Sequence, residues 1–294
     1  LSYPVGYGRP TVTSVSNRKS ANDHTRVNSQ YFGGTMQIHS LYTYNELRNF
    51  TYAIELDNND CLILDPWDAD QVNEFLTASN LKLRTIINTH EHWDHTRGNE
   101  ALVKEHGCEV WAHTNGTDKI PELTRTLEAG DMIELEPAVQ ILVMDTPGHT
   151  FAHLCFQILS DSVPIAVFTG DTLFNAGVGN CFNGGDPETM YETISGQFHT
   201  LADSVEVYPG HEYLENNLRF TLNFEATNQD AQAWLEKAIK ADPGVSPLRT
   251  TIGDERLFNT FFRLQNTAIR KSLQMPSASD RDVFVALRAR RDQW

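Results

Sequence analysis

The chain has 294 residues, 40% of them hydrophobic, enough for one large domain or a large domain with a smaller partner. Its formal net charge of −16, from 39 acidic against 23 basic side chains, repels phosphate backbones and argues against a nucleic-acid partner. No apolar stretch approaches transmembrane length, so no membrane partner is expected, and such an acidic balance is ordinary for a soluble cytoplasmic protein.

Residues 1–34 are rich in Gly, Pro, Ser, Thr and Asn and set Arg9, Arg18, Lys19 and Arg26 against the single acid Asp23. They contain no apolar core of a secretory signal and read as an N-terminal extension or strap. Were that basic, acid-poor stretch a transit segment, the destination would be an organelle instead of the cytoplasm. Cys61, Cys108, Cys155 and Cys181 are scattered, form no C-x-x-C pair and read as free thiols in a reducing compartment.

From Met36 onward, short β-type runs alternate with amphipathic stretches. Phe50 to Leu56 and Cys61 to Leu64 flank Asp57-Asn58-Asn59-Asp60 and predict a hairpin. Asp68 predicts the cap of a helix with Val72, Phe75 and Leu76 on one face. Asp186-Pro187-Glu188 opens another, which places Met190, Ile194, Phe198 and Leu201 at spacings of four, four and three. After His211 the β signals fade. Leu218 and Leu222, Trp234 to Ile239, Leu257 to Leu273, and Asp280 to Asp292 after Ser279 all read as helical. The expected division is a mixed α/β catalytic domain over 35–210 and a smaller helical domain over 211–294.

Thr89-His90-Glu91-His92-Trp93-Asp94-His95 follows the apolar run Thr85 to Asn88 and gathers three imidazoles and a carboxylate, donors that suit zinc and similar metals. Three later segments share this grammar of an apolar run ending in a ligand: Ile141 to His149, Ile165 to Asp171, and Val205 to His211. Strand ends along one sheet edge are rigidly placed and suited to building one shared site. His90, His92, Asp94, His95, His149, Asp171 and His211 make seven donors, too many for one four-coordinate ion. Two metals would use them all, with His90, His92 and His149 on one, Asp94, His95 and His211 on the other, and Asp171 bridging. Such a pair can hold a bridging hydroxide and polarise a carbonyl or phosphoryl oxygen. His153 is expected to support His149 from behind, whereas His24, His39, His106, His113 and His199 read as surface or structural residues.

On these motifs the chain resembles the metallo-β-lactamase superfamily, and within it the glyoxalase II, or hydroxyacylglutathione hydrolase, family. Thr89 to His95, Thr146 to Thr150, Phe168 to Phe174 and Gly210 to Tyr213 carry the resemblance, which continues through Asn216 to Phe220 and Arg288 to Trp294. It implies an α/β fold: an αββα sandwich with a smaller C-terminal all-α domain. It also implies two divalent ions, zinc first with iron or manganese as alternatives, held around the catalytic carboxylates Asp94 and Asp171. The implied reaction is attack of a metal-bridging hydroxide on S-D-lactoylglutathione, yielding D-lactate and glutathione, in a monomer or weak homo-oligomer. Arg288 and Arg291 match a basic pair that holds the glycine carboxylate of glutathione, and Tyr213 matches a substrate contact. After Gly179 the family pattern has a lysine and then a tyrosine that bind glutathione, where this chain has Asn180 and Phe182. That departure weakens the peptide contacts or changes which thiol carrier is accepted. A lactonase, a phosphodiesterase, a mononuclear-iron persulfide dioxygenase and a non-catalytic binding protein of the same fold are the competing expectations.

Overall fold

The computed structural model describes residues 28–32 and 36–294. Residues 1–27 and 33–34 of the expected extension lie outside the described residues, while Asn28–Phe32 forms strand β1.

β1 pairs antiparallel with β2 (Met36–Tyr42), which pairs with β3 (Phe50–Glu55), and β3 with β4 (Asp60–Leu64). The expected hairpin is thus β3–β4, with Asn59 at φ 62 in its turn. Helix α1 (Ala69–Ser79) starts where the Asp68 carboxylate accepts the Asp70 N–H, and it buries Val72, Phe75 and Leu76. After it, β5 (Lys82–Ile87) adds parallel to β4. The metal motif then opens into the short helix α2 (Trp93–Thr96), followed by α3 (Asn99–His106). β6 (Glu109–His113) and β7 (Arg125–Leu127) extend the same sheet in parallel.

The second sheet has the order β14-β11-β10-β9-β8 and is built from β8 (Met132–Glu136), β9 (Val139–Asp145), β10 (Leu154–Ser160), β11 (Val163–Gly170) and β14 (Glu206–Pro209). Between β11 and β14 lie a small hairpin, β12 (Leu173–Phe174) with β13 (Gly177–Val178), and helix α4 (Pro187–Gly196). β8 to β11 pair antiparallel, but β14 joins β11 in parallel, so both strands deliver their C-terminal ends to one edge.

Side-chain alternation builds the layers. Tyr52 and Ile54 of β3 meet Ile141, Val143, Phe156, Ile158 and Phe168 of the opposite sheet in the central core. The alternate residues face outward: Ala53 and Ile63 pack on α1 and α3, while Met144, Cys155 and Val207 pack on α4 and the C-terminal helices. The result is an αββα sandwich. Each fully buried Leu, Ile or Phe there contributes about 1.5–3 kcal/mol relative to exposure.

The C-terminal region from Leu214 is helical: α5 (Leu214–Phe224), α6 (Gln229–Ala238), α7 (Ile252–Phe258), α8 (Thr267–Ser272) and α9 (Asp280–Arg291). Two helical expectations were too long. The α4 pattern stops at Gly196 and passes into a 3-10 turn, although Phe198 stays buried. Leu257 to Leu273 is not one helix: the Asn259 and Asn266 side chains each accept backbone N–H groups and restart the chain as a 3-10 turn and as α8.

Candidate metal centre

The site sits where the ends of β5, β9, β11 and β14 meet. α2 puts Asp94 and His95 in its first turns, just after the extended residue His92. Gly148 sits at φ 145, with Met190 Cα 2.5 Å from where a Cβ would stand, so the turn before His149 is pressed onto α4. Gly170, at φ 45, lets β11 turn at Asp171, and Gly210 N donates to Gly170 O at 2.8 Å, holding Asp171 beside His211.

The seven side chains singled out in the sequence converge here. His90, His92 and His149 form one group whose donor atoms lie mutually within 4.8 Å, and Asp94, His95 and His211 form another. Asp171 touches both: its Oδ2 lies 3.4 Å from His149 Nε2 and 3.2 Å from His211 Nε2, and its Oδ1 lies 3.4 Å from His95 Nε2. Only His92 of the seven is not buried.

Tautomers follow from the outer partners. His149 Nδ1 donates to Asn180 O at 2.6 Å, His92 Nε2 to Asn183 O at 3.1 Å, and His211 Nδ1 to Leu47 O at 2.8 Å. Carbonyl oxygens only accept, so those nitrogens carry the protons. His95 Nδ1 donates to the Asp65 carboxylate, and His90 Nδ1 to Thr89 Oγ1, whose own proton goes to Asp65. In its neutral form each imidazole therefore turns a lone pair inward. Even so, His149 Nε2 and His92 Nδ1 stand 2.9 Å apart, and His95 Nε2 and His211 Nε2 3.2 Å. Facing lone pairs repel each other unless a cation lies among them. Asp171 Oδ1 is also buried with no hydrogen-bond partner. The donor set fits divalent metal ions.

The electrostatics agree. Burial pushes His149 down to about 4 and His90 well below the usual histidine range, keeping both neutral and able to ligate. At His95 burial opposes charge too, but the Asp171 and Asp65 carboxylates outweigh it and raise the imidazole to about 10, so this ring favours a positive charge that a metal ion would supply in place of its second proton. Asp65, Asp94 and Asp171 thus create a local demand for positive charge.

Some contributors were not foreseen. Asp65 ends β4 by the same strand-then-ligand grammar, a signal the sequence carried. Asn49 is buried and donates Nδ2 to Asp94 Oδ2 at 3.0 Å. Leu47 O contributes through its backbone alone. His153 meets His149 edge-on at 6.2 Å between ring centroids, without a hydrogen bond between them; its Nε2 accepts the Asp171 N–H at 3.1 Å, and its ring stacks on His90 at 4.9 Å. His39 and His113 are buried structural residues, and His106 and His199 are exposed.

Beside the centre is a cavity of about 350 Å³, lined by Phe174, Asn180, Phe182, Tyr213, Arg288 and Arg291 among others. Tyr213 stacks flat on His211, ring centroids 5.0 Å apart and planes 3° apart, and donates its hydroxyl to Leu47 O at 2.9 Å. Phe182 is 66% exposed at the rim.

Residues 44–211 match the metallo-beta-lactamase superfamily, and residues 212–294 match the hydroxyacylglutathione hydrolase C-terminus. A hydroxyacylglutathione hydrolase of Nitrosococcus oceani is 41% identical over 266 residues, 88% of this chain and 100% of that protein. The chain belongs to the hydroxyacylglutathione hydrolase family. A cytoplasmic hydroxyacylglutathione hydrolase of Arabidopsis thaliana is 32% identical, covering 84% of this chain and 95% of that protein. Among solved structures, ETHE1 from Myxococcus xanthus shares the fold at a TM-score of 0.58 and 22% identity, covering 86% of this chain and 97% of that one. In this family member the junction between the two matched regions falls at His211 and Glu212, where the last of the seven clustered side chains is followed by the helical region.

Proposed function

We propose that the protein hydrolyses S-acylglutathione thioesters, S-D-lactoylglutathione foremost, to the hydroxy acid and glutathione. The observation that carries this reading is the pair of ligand triads sharing Asp171 beside a cavity that contains Arg291 and Tyr213. His90, His92 and His149 would hold one divalent ion, and Asp94, His95 and His211 a second, with Asp171 between them. Zinc suits these imidazole and carboxylate donors, and iron and manganese accept the same set. Bound ions would supply an activated water at neutral pH and a Lewis acid for the thioester carbonyl.

The chain's own residues do the rest. Outer carbonyls and Asp65 hold a proton on the outward imidazole nitrogens, so that the inward nitrogens are the ones turned towards a cation. The catalytic carboxylates Asp94 and Asp171 bring the negative charge that retains cations here. Hydrolysis puts a hydroxyl on the acyl carbon and releases a thiolate, whose ordinary pKa of about 8.5 dispenses with a strong general acid. Arg291, Tyr213, Asn180 and Phe182 would seat the thiol carrier.

The reading includes a catalytic domain over 35–210, a helical substrate-binding domain over 211–294, a monomer or weak homo-oligomer, and a cytoplasmic location. No described helix is long and apolar enough to cross a membrane. The test is a set of steady-state rates on S-D-lactoylglutathione, other thioesters, a lactone and a phosphodiester, with metal content measured on the same preparation. Preference for the lactone or the phosphodiester would overturn the proposal.

A further inference from the structure

Arg288 and Arg291 stand one turn apart on α9 and both line the cavity, but their guanidinium groups are not equivalent. Arg288 is only 4% exposed. Its Nη1 donates to Val178 O at 2.7 Å and to Gly179 O at 3.0 Å. Its Nε donates to Asp292 Oδ1 at 2.9 Å, and Nη2 lies 2.8 Å from the same oxygen. A ligand carboxylate at Arg288 would have to displace Asp292 or strip hydrogen bonds from two buried carbonyls, each costly in a desolvated place. Arg291 differs. Its Nε and Nη2 meet the neutral Asn217 Oδ1 at 3.3 and 3.0 Å, and among the described residues it has no carboxylate in ion-pair contact.

The carbonyls held by Arg288 lead straight to the metal centre. Asn180, the next residue, gives its carbonyl to His149 Nδ1, and Asn183 gives its carbonyl to His92 Nε2. The segment has no slack: a Cβ on Gly179 would lie 1.9 Å from Asp171 O and 3.1 Å from His149 Nδ1.

We propose that Arg288 is a positioning residue for the His90–His92–His149 triad. It clamps α9 to Val178 and Gly179 so that the following loop presents two carbonyls that orient His149 and His92. The zinc readout that tests this role does not depend on the thioester reading above.

The experiment compares the zinc-loaded parent with R288A, R288K and R291A, reading zinc retention against a chromophoric chelator and then kcat and KM on S-D-lactoylglutathione. Removing an outer partner of a metal-bound histidine weakens retention by about 10–100-fold, and R288A is expected to do so for part of the bound zinc only, with lower kcat and little change in KM. R288K, whose ammonium still reaches a carbonyl, should recover part of that retention. R291A should keep parent zinc affinity and raise KM. R288A or R288K protein that holds all its zinc at parent affinity overturns the proposal. If R288A does not fold, R288K decides alone: weakened retention supports the clamp, and parent retention sinks it. A parent that binds zinc but does not cleave the glutathione thioester overturns the thioester reading and leaves the zinc comparison to decide the role of Arg288.

Discussion

Asp65 Oδ2 lies 2.9 Å from His95 Nδ1 while accepting the Thr89 hydroxyl at 2.6 Å, and Asp65 Oδ1 accepts the Thr89 N–H at 2.8 Å. One carboxylate thereby sets the His95 tautomer and pins the residue just before His90. In Asp65→Asn the amide NH₂ would have to face one of these donors. Zinc affinity is therefore expected to fall about 10–100-fold, because an outer carboxylate of a ligating histidine has been lost. Chelator-competition titration measures this, and parent-like affinity would refute the assignment.

Gly210 offers a packing test. A Cβ there would stand 2.5 Å from Asp171 Oδ1 and 2.8 Å from His95 Cε1. Gly210→Ala should push apart two ligands that belong to different strand ends. Metal content and kcat should drop together, while far-UV circular dichroism stays close to that of the parent. Full metal occupancy in the variant would show that the strand ends yield more easily than their packing implies.

Asn180→Lys with Phe182→Tyr restores the residues of the family pattern at the cavity rim. The Asn180 carbonyl that holds His149 is backbone and survives the change; the Asn180 side-chain bond to Phe182 N is given up. KM for S-D-lactoylglutathione should fall several-fold, more at low salt than at 0.5 M, because an exposed lysine acts through a field that salt screens. Equal KM at both salt concentrations would mean that no carboxylate is seated near residue 180.

Glu255 offers a pH prediction outside the metal centre. It is fully buried, bonded to Ala176 N, Thr250 Oγ1 and Asn259 Nδ2, and burial raises its carboxyl to about 7. A folded pKa above the unfolded one means that the folded chain holds this proton more tightly. The stability it contributes is complete below the usual glutamate pKa of about 4.3 and is lost as pH rises through about 7. At about 1.4 kcal/mol per pH unit, the window is worth roughly 4 kcal/mol. Glu255→Gln should flatten the dependence of Tm on pH between about 4.5 and 7.5. An unchanged slope would place the titration elsewhere.

Much of the fold was legible because its signals are local. Asp68 and Asp186 cap their helices through their own side chains, and the β3–β4 hairpin follows from two apolar runs around a polar turn. Helix ends were less legible. The side chains of Asn259 and Asn266 compete for backbone N–H groups, a choice that packing against α5 and α9 decides rather than periodicity. The site followed the same rule. Asp65 shares the grammar of the other strand ends and could have been found, but Asn49 sits in a polar loop without any pattern and could not.

The sequence by itself determined the donor set: imidazoles and carboxylates at the ends of apolar runs, where a sheet must deliver them to one edge. Only the tertiary structure decided which nitrogen of each histidine faces inward, since Leu47, Asn180 and Asn183 act through carbonyls that every residue possesses and no side chain advertises. It likewise distinguished two arginines one helical turn apart, engaging Arg288 with Val178, Gly179 and Asp292 while Arg291 meets a neutral amide and the Phe220 ring and, among the described residues, no carboxylate in ion-pair contact. Spacing can place both guanidinium groups on one face, but their partners lie far along the chain, Val178 at a separation of 110 residues for Arg288 and Asn217 at 74 for Arg291.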